Sequence, residues 1–398
     1  MTGNTRASRT RFRLLSKVLQ TLYVVLCAWF LSPVVSAQEV RIITFDAPGA
    51  DTKAGDYNGT YPSGINALGV IAGSYQSADT VFHGFLRSRG GKFITFQAPG
   101  ADTTAGSFDG TYPSSINDLG AITGYYWDAN GFSHGFLLSP DGNFTTFDVP
   151  GAGGYGTTPK AINFEGAVAG VYTDSNYTFR AFLRSPDGTF TTWIGPYACT
   201  GNGSEGCFGS GASNINAFGT VAGGFEDNSG NFVHHGFVRN AEGKLKMFDV
   251  PSAGTGSYQG TGCPGCNVGL NQFGAIAGIY SDTNSVNHGY LRSPDGKFTT
   301  FDAPGAGTGS YQGTGCFSDC PVSLNDWGAI TGIYIDANSV LHGYLRSPEG
   351  KIVTVDPVGS TYTFPDGIND FGSITGYYID ANGVYHGFLR LVETAWDR

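Results

Sequence analysis

One motif, an Ile-Asn or Leu-Asn pair followed by two residues and then Gly, begins at Ile65, Ile116, Ile162, Ile215, Leu270, Leu324 and Ile368. The successive spacings are 51, 46, 53, 55, 54 and 44 residues. A period of this size belongs to propeller blades or solenoid repeats, units that cannot bury a core alone and must stack on their neighbours. Within each copy, apolar and small residues alternate over four short runs, which is strand periodicity rather than helical periodicity. The 62 glycines and 14% aromatic residues agree, because many short strands need many tight turns.

In the second copy, strand A ends at Ile116, and strands B, C and D are expected over residues 121–127, 133–138 and 143–148. The A–B turn Asn117-Asp118-Leu119-Gly120 and the B–C turn Asp128-Ala129-Asn130-Gly131 place Asn or Asp where a side chain can bond the backbone, and Gly where a positive φ is needed. The C–D turn Ser139-Pro140-Asp141-Gly142 recurs at Ser185, Ser293 and, with Glu349, at Ser347. Strands A, B and C occur seven times, yet the last copy stops at Arg390 without a strand D. The missing strand stands at the other end, where residues 42–46, Ile-Ile-Thr-Phe-Asp, match residues 298–302. A chain that begins with the last strand of its final sheet can close a ring and remove its open edges. The expected fold is therefore all-β: a seven-bladed β-propeller of four-stranded antiparallel blades, closed by its N-terminal strand. An open β-solenoid has the same kind of period but no need for a displaced strand.

Residues 1–37 differ in kind. Arg6, Arg9, Arg11, Arg13 and Lys17 precede an apolar run from Val18 to Phe30 and the small-residue end Val35-Ser36-Ala37. This reads as a cleaved secretory signal peptide, leaving residues 38–398 as one domain without a membrane span and placing it in an extracellular or periplasmic compartment. An uncleaved anchor is the weaker alternative, because Gln20 and Thr21 interrupt a short run. Cleavage removes five of the 22 basic residues and none of the 32 acidic ones, leaving a formal charge of −15. Such a surface repels phosphate backbones and excludes nucleic acid as a partner. A monomer is expected.

Strand C carries His83-Gly84-Phe85, His134-Gly135-Phe136, His235-Gly236-Phe237 and His386-Gly387-Phe388, with Tyr290 and Tyr344 ending the His288 and His342 copies. The third copy reads Arg180-Ala181-Phe182. On these triplets the chain resembles the HAF family of bacterial extracellular repeat proteins, with Gly where the family name has Ala. The resemblance implies an exported repeat protein of propeller type and supplies no active-site motif.

The repeated features read as construction. Each His opens a strand C, so the imidazoles are spread around the ring and share no ion; a hydrogen bond to a neighbouring turn or blade is expected. The B–C turn residues Asp128, Asp174, Asp282, Asp336 and Asp380 offer one carboxylate per turn, too few for a calcium loop. After cleavage six cysteines form three close pairs, Cys199–Cys207, Cys263–Cys266 and Cys316–Cys320, expected as disulfides that stiffen the D–A connections. A redox-active Cys263–Cys266 pair or a shared zinc site is the alternative. No cofactor is expected, since the G-x-G-x-x-G at Gly260 precedes no helix.

Only positions that break the repeat can build one unique site. These lie in the D–A loops, which share an end of the ring with the B–C turns. Tyr57, Tyr61, Tyr112, Tyr258, Gln259, Tyr311 and Gln312 are the candidate ligand-binding residues there, because aromatic rings stack on sugar faces and amides bond hydroxyls. Tyr155 and Tyr197 belong to the same loops. The expectation is a non-catalytic recognition or scaffold module for a carbohydrate or protein ligand. A propeller-type glycosidase or polysaccharide lyase is the alternative; it needs two carboxylates in one pocket, drawn from Asp51, Asp56, Asp102, Asp109, Glu205 and Asp319.

Overall fold

The second repeat forms four antiparallel strands, Thr111–Ile116, Ile122–Trp127, Ser133–Leu138 and Phe144–Phe147. Each pairs with the next in sequence. This is a computed structural model that describes residues 40–392 except 55–57, 201–207, 264–265 and 317–319. The leader reading of residues 1–37 and the partner half of Cys199–Cys207 lie outside the described residues. The other repeats follow the same A–B–C–D plan, and no helix occurs among the described residues.

The fourth strand of the last repeat comes from the N-terminus. Val40–Phe45 pairs antiparallel with Tyr385–Val392, from Val40 opposite Val392 to Phe45 opposite Gly387. Successive repeats also touch directly: a glycine in the first part of strand A meets the first residue of the preceding strand C in parallel, as Gly156 meets Ser133 and Gly260 meets His234. The last repeat meets the first in the same way, Gly59 against Tyr385. At Gly59, φ is +132° and a Cβ would collide with the Tyr385 carbonyl oxygen, so only glycine allows this approach.

Strand B is buried on both faces, and its alternation decides how repeats stack. Ile122 and Tyr126 carry bulk on one face while Thr123 stays small on the other, so the next sheet can pack flat against it. Seven apolar cores result, each drawing residues from two neighbouring repeats. Ala72 of the first repeat thus packs with Ile122, Tyr126 and Phe136 of the second, while Leu389 of the last packs with Ile71 and Phe85 of the first.

The Gly of each His-Gly-Phe triplet also has a steric cause. A Cβ on Gly135 would lie 2.6 Å from the ring of Phe147 on strand D. The third repeat has Ala181 instead, and there the facing residue on strand D is Trp193 rather than Phe. Gly135→Ala is expected to destabilise the protein by about 2 kcal/mol through overpacking, measured as a shift in the urea midpoint. A neutral result would remove this account of the triplet.

The turn residues form a hydrogen-bonded circuit. The buried Asn66 side chain donates from Nδ2 to the carbonyl of Asn117 at 3.1 Å. Asn117 donates to Asn163, Asn163 to Asn216, Asn216 to Asn271, Asn271 to Asn325 and Asn325 to Asn369. Asn369 donates back to Asn66 at 3.0 Å, across 303 positions of sequence. Each Oδ1 meanwhile accepts the backbone N–H four residues on, as Asn117 does from Ala121 at 2.9 Å.

Candidate ligand sites

Five of the triplet imidazoles are held between two carboxylates. Nδ1 of His134, His235, His288 and His342 bonds the Asp that follows strand D at 2.7 to 3.0 Å, and His386 reaches Asp46 beside the N-terminal strand at 2.8 Å. Nε2 faces the B–C turn Asp at 3.5 to 3.7 Å, and the ring lies over an aromatic of strand B, such as Tyr126 or Tyr280. Where the third repeat has Arg180, its Nε pairs with Asp174 at 2.8 Å, and Ile194 stands where the other repeats have the second Asp. In the first repeat His83 instead bonds Ser77 at 3.0 Å. The histidines are thus pins that tie the end of strand D to the B–C turn.

These pins give stability a defined pH response. The hydrogen bond to Asp302 raises the His288 pKa, against the pull of burial. Burial pulls His235 down, but Asp249 and Asp227 outweigh it and the net shift is upward. Burial also pushes Asp326 up to about 6, with Asp370 and Asp118 adding to it. A raised folded-state pKa contributes stability that is complete below the unfolded value and lost as pH rises through the folded one. Asp128 is opposite in sign: burial would raise it, but N–H donors from Phe132 and Asn130 bring it to about 2, so its contribution disappears only in strong acid. The unfolding free energy should therefore decline from about pH 4 through 6 as Asp326 ionises, and again above the ordinary imidazole range as His288 and His235 lose their protons. His288→Gln should flatten that slope by a few tenths of a kcal/mol, and an unchanged slope would sink the assignment.

The D–A loops and B–C turns do share one end of the molecule. Tyr258 N–H donates to the carbonyl of Asn231 at 3.0 Å, and Tyr311 N–H to that of Ser285 at 2.7 Å. Of the sequence candidates, Tyr311 is exposed and Tyr258 half-buried, stacked on Phe232 at 5.6 Å. The two amides serve their own loops: Gln259 accepts from Gly256 N–H at 2.9 Å and donates to Ser285 at 3.0 Å, and Gln312 accepts from Gly309 at 3.0 Å and donates to the Ala337 carbonyl at 3.3 Å. Tyr61 and Tyr112 are not loop residues but belong to strand A. Tyr61 packs among Phe82, Tyr377 and Tyr385, and Tyr112 stacks on Tyr125 at 5.1 Å and donates to the Phe108 carbonyl. Tyr57 lies outside the described residues.

What sequence reasoning missed at this end is backbone strain. Phe108, Tyr177, Tyr197, Tyr258 and Tyr311 all have φ between +56° and +63°. Tyr177 stands in a B–C turn, where the second and last repeats have glycine, Gly131 and Gly383, and the other four lie in D–A loops. A bulky residue there costs about 1–3 kcal/mol. Phe108, Tyr177, Tyr197 and Tyr311 nevertheless turn about half or more of their surface to solvent, so folding gains little from the rings. The opposite end displays apolar side chains too: the A–B turns expose Leu68, Leu119, Phe164, Phe218, Phe273, Trp327 and Phe371, one per repeat.

A second feature was also hidden in the sequence. The A strands of all seven repeats line a central cavity of about 360 Å³. In five of them a β-bulge follows the position of Pro62, Pro113, Pro159, Ala212 and Pro365. At four of these sites proline supplies no N–H, the ladder slips, and the extra residue is aimed away from the pairing plane. The bulged residues are Ser63, Ser114, Lys160, Ser213 and Asp366, all lining the cavity. Their signal in the sequence is the position two before each Ile-Asn, which varies while its surroundings repeat.

The cysteines also lie elsewhere than expected. Cys263–Cys266 and Cys316–Cys320 are disulfides, but each interrupts strand A rather than stiffening a D–A loop. The flanking segments Gly260–Thr261 and Gly269–Leu270 both pair with one strand B, Ile276–Ser281. Gly313–Thr314 and Val322–Leu324 likewise share Ile330–Ile335. The fifth and sixth repeats thus replace the bulge with a cross-linked detour, and Ser213 Oγ donates to the Cys266 carbonyl at 2.7 Å. Among the described residues no helix is long and apolar enough to cross a membrane.

No protein-family model matches the chain, and no curated protein matches it. Solved structures do. The β-propeller domain of the Trilobed protease from Pyrococcus furiosus aligns with a TM-score of 0.52 at 10% identity, over 83% of this chain and 95% of that one. The BP39L lectin from Burkholderia pseudomallei aligns at 0.50 and 9% identity, over 88% and 95%. Puromycin hydrolase aligns at 0.50 and 11% identity, over 82% of this chain and 51% of the hydrolase, so the chain spans about half of that enzyme. At such identities the likeness is one of fold: this chain is all-β and similar to β-propellers.

Proposed function

We propose that the chain is an exported, non-catalytic recognition or scaffold module: a seven-bladed β-propeller, closed by its N-terminal strand, that binds glycan or peptide at the end carrying the D–A loops. The asparagine circuit that returns to Asn66 supports the closed ring, as does the Gly59–Tyr385 joint between last and first repeats. The His-Gly-Phe triplets support a kinship with the HAF repeat proteins, and the disulfides fit an oxidising compartment. The observation that carries the binding reading is the set of solvent-facing rings held in left-handed backbone, Phe108, Tyr177, Tyr197 and Tyr311. Strain retained to display an aromatic surface has its use in contact with something else. The glycosidase or lyase alternative has one supporting observation. Burial raises the Asp109 carboxyl, with Asp102 and Asp128 adding to it, while Thr104 holds Asp102 low, and a proton donor beside an ionised carboxylate needs such a split.

Polysaccharide pull-down and glycan-array binding, compared between the native chain and Tyr258→Ala and Tyr311→Ala, test the reading. Each substitution should weaken binding about tenfold, as loss of a stacking ring costs around a kcal/mol or more. Binding untouched by both changes would place the site elsewhere. Release of reducing ends from the bound polysaccharide, abolished by Asp109→Asn, would favour the enzyme.

A further inference from the structure

The central cavity holds two charges, and they are of opposite sign. Lys160 and Asp366 are the only charged residues among those lining it. Both are bulge residues, at the same register in the third and last repeats, where the first, second and fourth repeats have serine. Counted around the seven repeats, they lie three steps apart one way and four the other, so they belong to opposite sides of the cavity wall. Among the described residues neither is ion-paired, with the other or elsewhere. Asp366 Oδ2 is out of reach of solvent and has no hydrogen-bond partner.

An unpaired carboxylate in such a place is costly, and three of the five bulged repeats put serine there instead. The unique residues stand on the one position that the bulge, where a repeat has one, aims into the cavity. The rest of the wall fits a small polar guest. Ser63, Ser114 and Ser213 supply hydroxyls, while the stacked pair Tyr112 and Tyr125 supplies a flat apolar surface on one side only. A neutral polyol would use the hydroxyls and leave both charges uncompensated. An ion of one sign would leave one of them so.

We infer that the central cavity is a binding site for a zwitterion of amino-acid to dipeptide size, its ammonium facing Asp366 and its carboxylate facing Lys160. The tyrosine pair then receives the apolar side chain of the guest. With no cation beside it, burial holds the Asp366 carboxyl well above the ordinary carboxylate range; an ammonium at that place reverses the effect. The site is separate from the aromatic surface of the D–A loops and stands whether or not that surface binds glycan.

The test is thermal unfolding and calorimetric titration of the purified full-length chain with free L-amino acids and with glycylglycine, set against their N-acetylated and C-amidated forms. At least one zwitterion should bind and raise the melting temperature with concentration, and blocking either end should weaken it tenfold or more. Asp366→Asn and Lys160→Met, which keep shape and length, should each lose binding tenfold or more while polysaccharide binding is unchanged. Ser114→Leu, which narrows the cavity without touching either charge, should also abolish it, and it serves if one charge variant does not fold. The inference is overturned if no zwitterion binds, if doubly blocked forms bind equally well, or if the variants that melt like the native chain retain native affinity.

Discussion

Excision of residues 40–46 is expected to abolish cooperative folding rather than trim one edge. The segment supplies six strand pairs to Tyr385–Val392, the Asp46 partner of His386, and two side chains that close separate cores. Phe45 lies edge-on to Phe85 at 6.5 Å and under the Arg87 guanidinium at 4.7 Å, and Ile42 packs on the core around Ile374 and Phe388. Loss of Phe45 alone costs about 3–5 kcal/mol, and a whole domain has only about 5–15 kcal/mol to lose. The excised chain would also present Tyr385–Val392 as an unpaired edge, an invitation to aggregate. Circular dichroism melts and size-exclusion chromatography check this, with Phe45→Ala as the milder variant. A melt within a few degrees of native would mean that the N-terminal strand decorates a ring already complete without it.

The second large effect is expected at the asparagine circuit. Asn216 is buried; its Oδ1 accepts from Phe218 at 3.1 Å and Thr220 at 3.0 Å, and its Nδ2 donates to Asn271 at 3.2 Å. Asn216→Ala orphans two backbone N–H groups and one carbonyl, at a cost of about 2–4 kcal/mol. Asn216→Asp keeps both accepted bonds but turns a carboxylate toward a carbonyl, so it should be worse near pH 7 than near pH 4, where the protonated acid can donate again. Asn130, exposed on a B–C turn and bonded to Asp128, is the control, and its alanine variant should stay within about 0.5 kcal/mol of native. Equal losses at both positions would deny the circuit any special role.

Much of this architecture was legible in the chain because it rests on local chemistry repeated seven times. Strand C of the second repeat spans residues 133–138 as its alternation implies, and strand D falls within one residue of expectation at each end. The displaced strand could be counted without coordinates, since a missing copy at one end and a spare copy at the other need no geometry. The partners of the histidines were less accessible: Asp302 lies 14 residues from His288, just past a strand whose pairing register had to be known first.

The sites were the least legible. Tyr61 and Tyr112 read as loop residues because a bulged strand with proline near its middle looks like a turn. The cysteine pairs read as loop staples because strand A of the fifth repeat is split into two short segments that alone carry no strand signal. Lys160 and Asp366 drew no notice, since side-chain direction follows a period of two only while the ladder holds, and one bulge reverses it. The repeat, its strand count, its turns and its displaced first strand were thus determined by sequence alone, through contacts a few residues long. Which side chains meet at the centre was decided by the tertiary structure, because seven strands remote in sequence must converge there before any two of their residues can act together.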